Sequence, residues 1–276
     1  MEIRKNNGPL KWILIVISFL FLTIFLLLPL IYILSTAFRQ GIGAYLVSVS
    51  DEYTIKAAML TIKATLWAVA VNTILGISAA WCLTKFAFRG KKILSTFIDL
   101  PVTVSPIIAG LIYVLTFGRQ SDLYPILDDM GIQIIFAVPG IVLATIFVTF
   151  PFISRELIPV LTAQGTDEEE AAALMGAGTF TIFRKVTFPH IKWALLYGIV
   201  LCTARAMGEF GAVSVLSGHL RGKTNTLPLY IELLYQGYDF TGAFAASSIL
   251  VLMAIIILIL RLVLEKKGKK ELDIKK

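Results

Sequence analysis

The sequence predicts an all-α, polytopic membrane protein that crosses the bilayer six times. Apolar residues (AVILMFWYC) make up 57% of the 276 residues, and charged residues make up only 16%. The mean hydropathy is +0.84. A soluble protein carries about 25% charged residues, so the composition excludes an ordinary soluble domain. It also excludes a disordered chain and a nucleic-acid-binding protein, because the few charges are spread over too much apolar sequence.

The spans are predicted from stretches long enough to cross the membrane. A helix needs about 20 apolar residues to cross roughly 30 Å of hydrocarbon. Five stretches of this length carry no charge, and a sixth is interrupted only by Arg205 and Glu209. The first stretch is longer than a signal peptide, has no A-x-A cleavage site and is followed by Arg39, so it is predicted to be a span. In chain order the stretches are 12–38, 64–84, 100–118, 131–154, 193–218 and 240–260.

The distribution of lysine and arginine predicts the orientation of these spans. With a cytoplasmic N-terminus, the segments on the cytoplasmic side carry 18 Lys and Arg residues and those on the other side carry 6. Cytoplasmic loops of membrane proteins hold this excess, so both termini are predicted to be cytoplasmic. The net charge of +7 is therefore a topology signal and provides no evidence for an anionic substrate.

Residues 1–276 are predicted to form a single transmembrane domain. Its longest polar connection, 155–192, is predicted to be a cytoplasmic loop within that domain. The charged segment 265–276 is predicted to be a basic cytoplasmic tail, solvated and in contact with the anionic headgroups of the bilayer.

No catalytic or metal-binding constellation is visible in the sequence. His190 and His219 fall on opposite sides of the predicted membrane, and Cys82 and Cys202 are isolated within apolar stretches. The loop Gly218–Thr224 has three residues between its glycines, where a phosphate-binding loop has four. We therefore expect no enzyme activity, no metal and no cofactor on this chain, and any ATP that drives it must bind to another polypeptide.

The most informative motif lies within the polar connection. Thr166 and Glu169 have the spacing of a capping box, which predicts the start of a helix. Gly176 and Gly178 permit a sharp turn before a second short helix, and Pro189 predicts a break before the fifth span. The pattern predicts two short helices with a small apolar face. Such a face is suited either to a groove on a partner or to packing on the chain's own bundle.

This segment resembles the loop motif of import-type ABC transporter permeases, which reads E-A-A, three residues, G, nine residues, I-x-L-P. Val186 and Phe188 are conservative departures at the Ile and Leu positions. The resemblance implies the fold of a type I ABC importer permease and identifies the loop as a coupling helix that docks on a separate ATP-binding subunit. The residues that it assigns to this contact are Glu170, Ala171, Ala172, Leu174, Met175, Gly176 and Pro189.

The fifth span carries the second candidate site. Arg205 and Glu209 are one helical turn apart. The free energy needed to insert their two charges into the membrane exceeds the free energy gained by inserting the apolar residues of the stretch. The helix is therefore expected to be buried or to line a wet cavity. The pair is either part of a transport pathway or gate, or a structural ion pair. Thr103, Ser105 and Thr203 join Arg205 as candidate contacts for a tetrahedral anion, although such hydroxyls often bond to their own backbone.

Two further features of the spans concern packing. Pro101 and Pro106 are expected to bend the third span. Small residues in the fifth span are expected to permit close contact between helices. These residues are Ala204, Gly208, Gly211 and Ala212.

Three stretches resemble importers of sulfate and molybdate. Residues 204–212 are similar to the signature of that subgroup, and residues 100–110 and 217–228 resemble the second permease subunit of sulfate/thiosulfate importers. This resemblance implies import of sulfate or thiosulfate across a prokaryotic plasma membrane, which is the inner membrane if the cell has two. The implied partners are a sister permease, two copies of an ATPase that binds ATP and Mg²⁺, and an extracytoplasmic sulfate-binding protein.

Other functions remain open at this point. One alternative is a molybdate or tungstate ABC permease. Another is a secondary anion transporter driven by an ion gradient, with Arg205 and Glu209 as its coupling site, although it would leave the loop motif unexplained. A permease homodimer is an alternative to the heterodimer.

Overall fold

The computed structural model describes residues 9–274, and within this range the regular secondary structure is entirely helical. Two π-helical turns, Thr23–Leu27 and Phe183–Thr187, join α1 to α2 and α10 to α11. The α-helices are α1 Pro9–Leu22, α2 Leu28–Ala37, α3 Ile42–Val49, α4 Glu52–Lys85, α5 Lys91–Thr103, α6 Pro106–Phe117, α7 Tyr124–Asp129, α8 Val138–Gln164, α9 Asp167–Leu174, α10 Thr179–Ile182, α11 Phe188–Met207, α12 Gly211–Leu216, α13 Leu227–Gln236 and α14 Phe240–Ile274.

The helical stretches long and apolar enough to cross a membrane agree with the predicted multi-pass architecture. Between residues 9 and 274, five such stretches are continuous, and α5 and α6 form a sixth if the two are counted as one broken span. The all-α class is therefore confirmed. The five are Lys11–Ala37, Glu52–Lys85, Val138–Gln164, Thr179–Met207 and Phe240–Gly268.

The third predicted span is two helices rather than one bent helix. The axes of α5 and α6 differ by 108°, and the break falls at Val104 and Ser105, whose ψ angles of 134° and 132° are extended. Proline disfavours the helical conformation in the residue before it and is well suited to a first helical turn. Pro106 therefore ends one helix and begins the next. Pro101 is buried inside α5.

The core of the bundle is built by α4, α8 and α11. The helices α4 and α8 run parallel, and Asn72 Nδ2 donates to Thr149 Oγ1 over 2.8 Å between them. Small residues permit the close approach, since a Cβ at Gly76 would lie 2.8 Å from Cγ2 of Ile153. The antiparallel α11 packs against the same part of α8, where a Cβ at Gly198 would lie 3.2 Å from Cα of Ile153.

The helix α14 closes the bundle on the far side of α11. Arg261 Nη2 donates to Tyr197 Oη over 2.6 Å between these helices. On its other side, α14 packs against α2, where the rings of Phe244 and Tyr32 are 5.9 Å apart. In contrast, the side chains of α1 from Lys11 onward show little or no burial.

The two ends of the bundle are formed by different connections. At the end that we call the α9 end, the C-terminus of α4 meets the connection between α8 and α11, and Gly268 of α14 faces the ring of Trp193. At the opposite end, which we call the α13 end, Asp51 caps α4 by accepting from the backbone N–H groups of Tyr53 and Thr54. Asp51 also accepts from Tyr230 Oη of α13 over 3.1 Å.

The polar connection and the tail are more helical than their charge predicts. Within the predicted loop 155–192, α8 continues to Gln164 and α11 already begins at Phe188. Arg155 lies inside α8, and its Nε donates to Asp99 Oδ1 of α5 over 2.7 Å. Helix α14 likewise continues through the predicted tail to Ile274, and the last two residues of that tail lie outside the described range.

Candidate functional site

The short helix α9 presents apolar side chains to solvent at its C-terminal end. Leu174 is 91% exposed and Met175 is 82% exposed, and Phe180 on the following α10 is also exposed. Large apolar groups this exposed are poorly explained by packing on the chain's own bundle, and adjacent exposed apolar groups mark interaction sites. Ala172 is buried and faces the bundle. The helix therefore has an inner side and an apolar outer end.

Gly176 follows α9 in a Schellman motif. Its φ of +84° lies in the left-handed region, which favours glycine. The N–H of Gly176 donates to the carbonyl of Ala173 over 2.9 Å, and that of Ala177 donates to Ala172 over 3.1 Å. A Cβ at Gly176 would meet nothing within 4 Å. The glycine is therefore required by the backbone conformation rather than by space.

The predicted capping box is wrong. Thr166 adopts φ −114° and ψ −10° and makes no side-chain bond to the helix. Glu169 bonds instead to distant groups, since its Oε1 accepts from Thr187 Oγ1 over 2.6 Å and lies 3.1 Å from Lys85 Nζ. The tertiary partners replace the local one because Lys85 neutralises this largely buried carboxylate and Thr187 donates a hydrogen bond to it.

The predicted break at Pro189 is also wrong, because the helix continues from Thr179 to Met207. Pro189 lies in the first turn of α11, directly after the π-helical turn. In that turn the N–H of Phe188 donates to the carbonyl of Phe183, five residues earlier. A π turn changes the register of the backbone bonds and can accommodate the missing N–H of a proline.

The structure brings most of the predicted coupling residues together in one short segment. Glu170, Ala171, Leu174, Met175 and Gly176 are exposed on or next to α9. Pro189 is half-buried at the start of α11 and belongs to the support of the segment rather than to its outer end.

The fifth predicted span is broken between its two charged residues. Helix α11 ends at Met207 and α12 begins at Gly211. Arg205 Nη1 lies 2.6 Å from Glu209 Oε2, so the pair forms as its spacing predicts, but it bridges two helices. The Glu209 side chain is 1% exposed, whereas that of Arg205 is 33% exposed. Glu209 Oε1 also accepts from the N–H of Ala212 over 2.9 Å, so this carboxylate caps α12.

The break in the fifth span lies against the break in the third. A Cβ at Gly211 would lie 3.0 Å from Cβ of Pro106, and a Cβ at Gly110 would lie 2.6 Å from the carbonyl oxygen of Ala212. Gly211 and Ala212 thus make the close contact expected of small residues, whereas Ala204 and Gly208 are exposed. We call this place the break junction; both α6 and α12 begin there.

The three hydroxyl side chains predicted to contact the anion differ in their hydrogen bonds. Thr103 Oγ1 donates to the carbonyl of Leu100 over 2.9 Å, and Thr203 Oγ1 donates to Ile199 over 2.7 Å. Both hydroxyl groups therefore donate to backbone carbonyls of their own helices. Ser105 is exposed at the break and makes no side-chain bond to cap α6.

Comparison with known proteins identifies the family. Residues 72–270 match the family described as binding-protein-dependent transport system inner membrane component. The chain belongs to this family. It is therefore a multi-pass membrane permease subunit of an ABC importer and not an enzyme, and the ATPase of such an importer is a separate subunit.

Two curated relatives are similar over nearly the whole chain. The sulfate transport system permease protein CysW of Escherichia coli (strain K12) is 50% identical over 255 residues, which cover 92% of this chain and 88% of that protein. The protein of the same name from Synechocystis sp. is 43% identical over 257 residues, or 93% of each chain.

A solved structure shares the fold. It is the crystal structure of a bacterial alginate ABC transporter in complex with an alginate pentasaccharide-bound periplasmic protein. The TM-score is 0.76 with 19% sequence identity, and the match covers 91% of this chain and 92% of that chain. The predicted importer permease fold is therefore confirmed.

Proposed function

We propose that this chain is the transmembrane permease subunit of an ATP-binding-cassette importer that moves sulfate, or thiosulfate, into the cell. The observation that carries this proposal is the 50% identity, over 92% of the chain, to a sulfate transport system permease. The stretches 100–110, 204–212 and 217–228 add support, since they resemble sulfate importers and two of them meet at the break junction.

The proposed location is the plasma membrane of a prokaryote, or the inner membrane where there are two. The α9 end faces the cytoplasm, as the excess of lysine and arginine on that side supports. The C-terminal end of α14 lies on the same side, where its basic residues meet anionic headgroups.

The proposed ATPase contact is the exposed segment Glu170–Gly176. Leu174 and Met175 insert into a groove on the ATP-binding subunit, and their exposure supports this role. Two ATPase copies bind the ATP and Mg²⁺, and this chain itself carries no cofactor. Glu170 is exposed beside the apolar end and adds a charge that a basic group of the partner can bind.

The remaining proposed partners are a sister permease and an extracytoplasmic sulfate-binding protein. Support for the latter comes from the alginate transporter, which was crystallised with a periplasmic protein. At the α13 end, a cavity of about 950 Å³ opens between α6, α7 and residues 131–136. Arg119, Gln120, Tyr124 and Asp128 line it with polar groups. This is the face where such a partner would dock.

The proposed pathway site is the break junction. Both carboxylate oxygens of Glu209 have partners, the N–H of Ala212 in α12 and the guanidinium of Arg205. The Arg205 side chain, in contrast, is partly exposed. Arg205 is therefore the group proposed to contact the anion, and Glu209 positions it. Thr103, Ser105 and Thr203 are the further proposed contacts for the anion. Thr103 ends α5, Ser105 lies in the break directly before α6, and Thr203 lies in α11.

Reconstitution tests this function. The chain with its sister permease and ATPase is placed in proteoliposomes, and uptake of labelled sulfate is measured with the binding protein on one side and ATP on the α9 side. We expect uptake to require ATP and to be inhibited by thiosulfate more than by molybdate or tungstate. Uptake of molybdate in preference to sulfate would assign the alternative substrate. Uptake driven by an ion gradient without the ATPase would refute the proposal.

A further inference from the structure

Lys85, the last residue of α4, is buried where a membrane-flanking lysine would ordinarily reach water. Its side chain is 5% exposed, and its Nζ lies 3.1 Å from Glu169 Oε1 and donates to the carbonyl of Gly165. Lysines that flank spans normally extend their ammonium groups to the interface. A buried ammonium requires partners, because leaving water is costly for a charge. The ammonium group of Lys85 thus contacts the turn between α8 and α9 and the first turn of α9.

Glu169 differs from the other acidic residues in the first turn of α9. Its side chain is 14% exposed, whereas Glu168 and Glu170 are exposed. Glu168 lies 3.5 Å from His190 at the surface. Glu169 has a second partner in Thr187, a buried residue that ends the π-helical turn before α11 and donates its hydroxyl over 2.6 Å. One carboxylate thus connects α9 to α4 and to α11.

An aromatic contact adds to this connection. The ring of Trp81, one turn before Lys85, lies 5.0 Å from the ring of Phe183 at the start of the π-helical turn. The C-terminal end of α4 therefore holds both the beginning of α9 and the segment that follows α10. In contrast, the outer end of α9 and its Schellman turn are exposed.

We propose that Lys85, Glu169 and Thr187 form a tether that fixes α9 to α4 and α11, so that α9 moves with these two helices. The inference rests on the proposed function, in which α9 contacts the ATPase. The three are positioning residues and do not touch the ATPase. Separating a buried ion pair leaves each charge desolvated and unpaired, so the tether resists stretching and transmits displacement in both directions. The same contact would carry ATPase closure to the spans and substrate-induced movement to the ATPase.

The test uses the complete importer with Lys85→Met, Glu169→Gln and the double variant Lys85→Met/Glu169→Gln. The double variant leaves no unpaired buried charge and keeps the test open if a single variant fails to assemble. Asp167→Asn is the matched control, since it removes an exposed acid of the same turn that is not part of the tether. The first measurement is hydrogen exchange of residues 167–174. The second is the stimulation of ATP hydrolysis by sulfate-loaded binding protein, with the ATPase content of the complex determined in parallel.

We expect faster exchange in α9 and, at unchanged ATPase content, at least a fivefold loss of stimulation, roughly the lower bound of ordinary coupling between sites. Asp167→Asn should match the wild type in both measurements. Unchanged exchange in the double variant would refute the tether, and faster exchange with full stimulation would refute its coupling role. A wild-type complex without ATP-dependent sulfate uptake would instead refute the proposed function, and the exchange data would then assign only a structural contact.

Discussion

The guanidinium of Arg205 and the carboxylate of Glu209 lie 2.6 Å apart across the break between α11 and α12. An i, i+4 ion pair within one continuous helix would stabilise only that helix. Here the carboxylate also accepts the N–H of Ala212, so one acid both caps the second helix and pairs with the last turn of the first. The ion pair of Arg205 and the start of α12 are thereby linked through one carboxylate.

This dual role predicts a graded series at position 209. Glu209→Ala removes the cap and the ion pair, and we expect a loss of at least about 1 kcal/mol of stability from the cap alone. Glu209→Gln keeps an oxygen for the N–H of Ala212 and should be the milder change. Thermal unfolding of the purified importer checks the order. Equal losses in the two variants would show that the cap contributes nothing.

Gly110 is predicted to be intolerant of any side chain. A Cβ there would lie 2.6 Å from the backbone carbonyl of Ala212, which cannot move without separating α6 from α12. We expect Gly110→Ala to cost about 1–3 kcal/mol, as overpacking does, and to reduce sulfate uptake. The control is Gly43→Ala on α3, where nothing lies within 4 Å. A stable and active Gly110→Ala importer would contradict the observed approach.

Gly176 is predicted to determine ATPase attachment through its backbone. Gly176→Leu must adopt φ near +84°, which costs about 1–2 kcal/mol for an L-residue, and the turn after α9 should open. We expect normal membrane insertion with loss of the co-purifying ATPase. The matched control is Gly178→Leu, because Gly178 has φ −71° and open space around it. Normal ATPase content and uptake in Gly176→Leu would refute the requirement for glycine.

Tyr230 is predicted to make stability pH-dependent in the alkaline range. Burial, and then the hydrogen bond to Asp51, raise the pKa of its phenol. The neutral phenol is therefore favoured in the folded state, and its contribution is complete below the unfolded pKa of about 10 and is lost as pH rises through the higher folded value.

Alkaline unfolding of the wild type and of Tyr230→Phe checks this prediction. The variant should be less stable at neutral pH by about 1 kcal/mol, the usual contribution of a hydrogen bond. The difference should shrink as pH rises above 10, because only the wild type can ionise there. A difference that stays constant with pH would exclude the phenol as the titrating group.

Features that depend on local chemistry could be predicted from the sequence. Apolar length predicted the spans, Pro106 predicted the bend in the third, and Gly176 predicted the turn after α9. The pairing of Arg205 with Glu209 followed from their spacing, although the helix break between them did not. That break depends on Glu209 capping α12, an interaction that the uniform apolar pattern around it conceals.

Features that depend on distant partners could not be predicted. Thr166 and Glu169 have the spacing of a capping box, but Lys85 and Thr187 bind the carboxylate instead. Lys85 reads as an ordinary flanking lysine, since nothing in its neighbourhood in the sequence indicates burial. Gly110 is likewise one small residue in an apolar run, and only the packing of α12 against it explains its requirement.

The parallel packing of α4 and α8 has a consequence for biogenesis. Neighbouring spans usually enter the bilayer as antiparallel hairpins, but these two point the same way and are joined by the hydrogen bond from Asn72 to Thr149. That bond can form only after α5 and α6 have carried the chain back across the membrane. Until then the buried amide of Asn72 must be shielded from lipid by other means. The centre of the bundle therefore cannot form before α8 has been synthesised, and substitutions at Asn72 should reduce the yield of folded protein more than its activity once folded.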